Sequence, residues 1–254
     1  MQGMIQRGIL PVLKSRLKQY PAVSMLLSAF CSCLAGCAGM HTDSTAAARP
    51  AVGNAQEAAK VTPDEAMKRL VEGNARFVSG HTQHPRQGPE RRTELATGQF
   101  PFAIILGCAD SRTGPEIIFD QGLGDLFVAR EAGNVVDDHT IGSIEYAAEH
   151  LHVPLIVVLG HKRCGAVLAA RDMAAAKGHA DGHIESLVSA IRPAVEATLG
   201  QDAEATCNAN VRNVVRSLRA CGPVLRPLVA GGQVRVVGAY YDLDTGAVTF
   251  LEGE

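Results

Sequence analysis

Tryptophan is absent from this chain of 254 residues, and the aromatic fraction is only 4%. Proteins that hold single-stranded nucleic acid stack bases on aromatic rings, and that material is scarce here. A surplus of positive charge is missing too: 24 basic residues face 26 acidic ones, a formal net charge of −2. The chain carries no electrostatic footprint for a phosphate backbone, and nucleic acid is excluded as a partner. No apolar run reaches the roughly 20 residues that a membrane span requires, and no internal repeat is present. What the chain does have is a hydrophobic content of 46%, enough to build the core of one substantial domain.

The first 36 residues read as a signal peptide. Arg7, Lys14, Arg16 and Lys18 come without an acidic neighbour, and an apolar stretch of about a dozen residues follows from Ala22 through Leu26, Leu27 and Phe30 to Leu34. Its end, Leu34-Ala35-Gly36-Cys37, resembles the lipobox of bacterial lipoproteins, in which the cysteine becomes the lipid-bearing first residue. The expectation is an exported periplasmic or cell-envelope lipoprotein, lipidated at Cys37, that meets the membrane only through its lipid anchor. The alternatives are an ordinary cleaved signal, or a cytosolic protein with a misplaced start codon. Loss of the four basic residues leaves 20 basic against 26 acidic side chains, a charge near −6, which favours solubility. Residues 37–60 are small and lack apolar periodicity, the composition of a flexible tether.

Residues 61–254 carry the folded domain. Thr62-Pro63-Asp64-Glu65 is a helix start, with Thr62 as cap, Pro63 in the first turn and Glu65 placed to close a capping box. Met67, Leu70, Val71, Asn74 and Phe77 continue at helical spacing, and Gly80 ends the helix. Four short, nearly continuous apolar runs follow at 102–106, 125–129, 154–159 and 234–239, which is how strands buried on both faces read. Helical segments at about 140–151, 164–177, 184–199 and 204–219 leave room for crossovers, and a final antiparallel strand is expected near 247–251 after an Asp244-Thr245-Gly246 turn. The class is α/β: a mainly parallel central sheet with an antiparallel edge strand, flanked by helices and preceded by a helical arm.

Two strings 53 residues apart lie just past apolar runs: Cys108-Ala109-Asp110-Ser111-Arg112 and His161-Lys162-Arg163-Cys164-Gly165. In open parallel sheets, ligands sit beyond the carboxyl ends of strands. Two thiolates and an imidazole suit Zn²⁺, and three protein ligands leave a fourth position open, the mark of a catalytic metal. The Gly107 and Gly160 that precede the ligands are expected to permit tight turns. A Cys108–Cys164 disulfide is the rival in an oxidising compartment, but it leaves His161, Asp110 and Arg112 unexplained. Asp110 and Arg112 are two apart, so an extended segment would put both on one side of the site, where an arginine fork matches a carboxylate. Gly165, at a helix start, offers a backbone N–H to an anion. Asp137-Asp138-His139 reads as a solvated turn, Cys207 and Cys221 as core thiols, and no one of the scattered histidines stands out as a proton shuttle.

These strings, with Glu116-Ile117-Ile118-Phe119-Asp120, Gly124-Asp125-Leu126-Phe127-Val128, Ala132-Gly133-Asn134 and Gly142-Ser143-Ile144-Glu145-Tyr146, make residues 61–251 resemble a β-class carbonic anhydrase. The resemblance implies reversible hydration of CO₂ to bicarbonate and a proton by zinc-bound hydroxide, with one Zn²⁺ per subunit on Cys108, His161 and Cys164. It further implies that the Asp110–Arg112 dyad orients the nucleophile, and that in one subtype Asp110 becomes the fourth ligand of a closed site. Homodimers or homotetramers with helical arms are the family's usual assemblies. The chain departs from the pattern in two places. The tryptophan of the family's regulatory bicarbonate site is missing, and Glu131 is charged where relatives carry an amide or an aliphatic residue. A related zinc hydrolase acting on CS₂ or COS, and a non-enzymatic zinc or redox lipoprotein, stand as alternatives.

Two thiolates donate more charge to zinc than imidazoles do and weaken it as a Lewis acid. The rate of CO₂ hydration should therefore rise into alkaline pH; a stopped-flow profile that is flat over roughly pH 6 to 9 would count against this.

Overall fold

The computed structural model describes residues 61–251. Cys37, the signal segment and the tether lie outside them. Among the described residues no helix is long and apolar enough to cross a membrane.

Helix α1 (Pro63–Val78) begins as the sequence predicts, with the Glu65 N–H donating to Thr62 Oγ1 at 3.2 Å and Gly80 left-handed just past the end. The reciprocal half of the capping box is not used, because the Glu65 carboxylate pairs with Arg69 one turn on at 3.2 Å. Ala66, Leu70, Gly73 and Asn74 form the buried face, whereas Val71 is 48% exposed. Helix α2 (Pro89–Leu95) leads into β1 (Ala103–Gly107), the short α3 (Pro115–Ile118), β2 (Leu126–Arg130), a 3₁₀ turn (Ala132–Asn134) and α4 (Asp138–Glu149). Then come β3 (Leu155–His161), α5 (Gly165–Ala175), α6 (Ile184–Ala197), α7 (Ala203–Ala220), α8 (Leu225–Ala230), β4 (Arg235–Tyr241) and β5 (Val248–Phe250).

The sheet runs β2-β1-β3-β4-β5, parallel throughout except for the antiparallel β4–β5 pair at one edge. Side chains alternate across it, as strand geometry requires. Ile104, Leu106, Ile156, Val158 and Val236 pack under α4, α7 and α8 through Ile144, Val211, Val215, Leu218 and Leu225. Ala103, Ile105, Leu155, Val157 and Leu159 pack on the opposite face against Ala66 and Leu70 of α1 and the Ile118-Phe119 corner. Every residue of β1 and β3 is buried, which is why both read as continuous apolar runs; β2, an edge strand, is only half-buried. The Asp137 side chain caps α4 through the Thr140 N–H at 2.8 Å, so that acidic stretch is a helix start and not a metal cluster.

Asn74 fastens the two ends of the domain together. Its amide nitrogen donates to the carbonyls of Ile118 (3.1 Å) and Gly246 (2.9 Å), and its oxygen accepts the Val248 N–H at 2.8 Å. Asn74→Ala strands these groups where water does not replace the amide, and should cost about 2–4 kcal/mol. A urea unfolding midpoint equal to that of the parent would contradict this role.

Candidate metal centre

β1 and β3 pair in register with Gly107 opposite Leu159, so Cys108 and His161 leave the sheet side by side. Three residues later Cys164 caps α5 and turns back toward them. The ligand atoms of Cys108, His161 and Cys164 lie within 4.8 Å of one another, and all three residues are buried. The glycines before the ligands lie inside β1 and β3 and make no turns, contrary to the sequence expectation. Gly160 is there for packing: a Cβ at that position would meet Val211 Cγ2 at 2.6 Å and Cys207 Sγ at 2.8 Å on α7.

The imidazole is pre-oriented. Its Nδ1 lies 3.0 Å from the Lys162 carbonyl, which can only accept, so Nδ1 carries the proton and Nε2 presents its lone pair. His161 Nε2 is buried and has no hydrogen-bond partner. A buried acceptor left bare in this way costs about 1–3 kcal/mol unless a cation takes the lone pair. The Cys108 and Cys164 sulfurs are free thiols 4.0 Å apart. Without a metal they share a proton: the Cys164 S–H donates to Cys108, which holds the Cys108 thiol well below the usual thiol range and pushes Cys164 up. The N–H groups of Asp110 (3.5 Å) and Gly133 (3.2 Å) also favour the Cys108 thiolate against the cost of burial. Two soft sulfurs and one bare imidazole nitrogen fit Zn²⁺.

Asp110 and Arg112 meet on a tight turn, not on an extended segment. Arg112 donates Nε to Asp110 Oδ1 at 2.9 Å and Nη2 to Oδ2 at 2.6 Å, and its backbone N–H reaches Oδ1 at 2.9 Å. The Arg112 hydrogen bonds hold the Asp110 carboxyl well below the usual carboxylate range. Its Oδ2 is 3.9 Å from His161 Nε2, so an ionised acceptor stands beside the metal position. Gly165 opens α5 with free space around it. Cys207 is buried behind the site, donates to the His161 carbonyl at 3.5 Å and is pushed up to about 12 by desolvation, as suits a core thiol. Cys221, at the far end of α7, is half-buried.

Sequence reasoning missed three residues that support the site. Arg130 and Thr113 bond the carbonyls of the 108–112 loop, and Asn210 on α7 holds the Gly133 carbonyl at 2.8 Å. Gly133 is left-handed (φ 73°), and a Cβ there would strike Ile191 Cδ1 at 2.7 Å. The position of Arg130 at the carboxyl end of a third parallel strand was the available signal. Glu131 is exposed, and nothing in the structure explains its charge.

Residues 103–248 match the family model described as carbonic anhydrase. Carbonic anhydrase 2 of Mycobacterium tuberculosis is 46% identical over 189 residues, 72% of this chain and 90% of that protein. The chain belongs to the β-class carbonic anhydrase family. Carbonic anhydrase of Mycolicibacterium smegmatis is 43% identical over 190 residues, 73% of this chain and 92% of its own length. The match extends to three dimensions in a structure described as one of two tetrameric β-carbonic anhydrases from Sordaria macrospora, with a TM-score of 0.59 and 27% identity over 74% of this chain and 96% of that one. Membership makes the chain a carbonic anhydrase with zinc as its cofactor. His161→Ala and Cys164→Ser should each lose most of the bound zinc, whereas Cys207→Ala should keep the full complement; metal analysis after gel filtration checks both.

Proposed function

We propose that Cys108, His161 and Cys164 hold the zinc of a CO₂ hydratase, and that the Asp110–Arg112 dyad both orients the reacting water and gates the site. The observation that carries this is the Asp110 carboxylate: ionised, clamped by an arginine fork and 3.9 Å from the bare Nε2 of His161. Zinc held by these residues would supply Lewis acidity that lowers the pKa of a bound water, less strongly than an all-histidine site would. Asp110, which can only accept, would take a hydrogen bond from that water and orient its lone pair toward the carbon of CO₂. A C–O bond forms, one C=O electron pair moves onto oxygen, and the proton leaves to solvent. Gly165, first residue of α5, would offer its N–H to the anionic product, as helix N-termini do. Arg112 holds the Asp110 carboxylate in its fork; released from it, the carboxylate would be free to bind the metal and close the site.

The tetrameric state in the description of the Sordaria structures supports a homodimer or homotetramer here. The exposed Val71 and Val78 on α1 are an apolar face that a second subunit would cover. The segment Leu34-Ala35-Gly36-Cys37, after a basic and then apolar stretch, supports export and lipidation at Cys37 in the periplasm or cell envelope.

Asp110→Asn keeps the size of the side chain and loses its charge. It should retain zinc and lose about 100-fold in kcat for CO₂ hydration, as removal of a positioned proton acceptor does. Unchanged turnover would sink the dyad reading, and turnover that survives complete chelation of zinc would sink the metal reading. For the anchor, the membrane-fraction protein should show an N-terminal mass beginning at a diacylated Cys37; an unmodified N-terminus would refute lipidation.

A further inference from the structure

Arg130 is the last residue of β2, and its partner across the ladder is Gly107, the residue before Cys108. From that strand end its guanidinium reaches over the loop that carries a zinc ligand and the dyad. Nε donates to the Cys108 carbonyl at 2.8 Å, and Nη2 donates to the Asp110 carbonyl at 2.6 Å. Thr113 Oγ1 lies 3.2 and 2.9 Å from the same two oxygens, and its single hydroxyl proton adds a donor to this pair of carbonyls. The guanidinium is planar and rigid, and charge-assisted bonds of this kind are about twice as strong as neutral ones.

We propose that Arg130 is a positioning residue for catalysis, one that fixes the Cys108 and Asp110 carbonyls relative to each other and thereby holds the Asp110 carboxylate on Arg112 and away from the metal. This rests on the dyad reading above. A single residue, Ala109, separates the two gripped residues, so Arg130 fixes the backbone from which the Asp110 side chain swings, and any approach to the metal that moves that backbone works against its bonds. Two arginines thus act on one aspartate: Arg112 on its carboxylate, Arg130 on its backbone. Arg130 touches neither substrate nor metal, so its effect is on the balance between the open and closed arrangements.

The test compares R130M, which keeps length without a donor, with R130K, which keeps a charged donor. CO₂ hydration kinetics, the visible spectrum of the cobalt(II)-substituted protein and the urea midpoint are measured for each. R130M should lose about 10–100-fold in kcat with little change in KM, as removal of groups that orient metal ligands does. Its cobalt spectrum should shift as a carboxylate joins the metal, and the shift should vanish in the R130M/D110A double variant. R130K should recover part of the rate and of the parent spectrum. A loss of rate with an unchanged cobalt spectrum, or one that follows the urea midpoint and is no smaller in R130K, would make Arg130 merely structural and overturn the proposal. Should R130M not fold, R130K and R130Q carry the test, and a parent-like spectrum and kcat in both overturns it. The two readings fail separately: an unaltered rate in D110N strikes the dyad, whereas a large loss in D110N beside an unaltered R130M strikes Arg130 alone.

Discussion

Parallel, in-register pairing of β1 with β3 is the constraint on which the site depends. Because Gly107 stands opposite Leu159, the chain leaves both strands at one level, and two ligands separated by 53 residues emerge as neighbours. The same ladder places β2 on the far side of β1, and so sets Arg130 beside the loop that follows Cys108. Gly160 lets α7 come down onto β3, which brings Cys207 behind the site and Asn210 to the turn at Gly133. A slip of one residue between β1 and β3 would invert the alternation of side chains across the sheet and separate the ligands in a single step.

The centre holds one buried acceptor, His161 Nε2, that no group among the described residues satisfies and that a cation would. Cys108, Cys164 and His161 are 4%, 3% and 1% exposed, the two sulfurs compete for one proton, and the imidazole lone pair faces no donor. A protein core normally pairs such groups with one another or with solvent. Here N–H groups hold the Cys108 sulfur as a thiolate, and a carbonyl on His161 Nδ1 leaves the Nε2 lone pair facing the metal position without a partner. Local conflict of this kind is what functional sites carry while the rest of a fold stays consistent.

Much of this was legible in the residues. The buried strands announced themselves because both faces are covered, so Ile104-Ile105-Leu106 and Leu155-Ile156-Val157-Val158-Leu159 carry no alternation to misread. The cluster of Cys108, His161 and Cys164 was legible because its residue types are rare and its place at strand ends is chemical as well as structural. What was not legible depended on contacts across the chain. Glu65 pairs with Arg69 where a capping box predicts a backbone bond, a choice between two local partners of similar worth. Gly107 and Gly160 were expected in turns, yet Gly160 lies within β3 because α7, some 50 residues later, needs the space. Arg130 and Asn210 act through backbone carbonyls, and an arginine or an asparagine that bonds a carbonyl has no signature of its own.

The bond from Asn74 to Val248 joins the first helix of the domain to its last strand across 174 positions. Such a closure is among the most non-local contacts a chain of this size can make, and contacts of that kind are formed late and slowly. A chain still being synthesised therefore lacks this closure until β5 has been made. The α1 side of the core is thus tied to a strand made 174 positions later, whereas the β1–β3 ladder that aligns the candidate ligands needs neither partner of that bond.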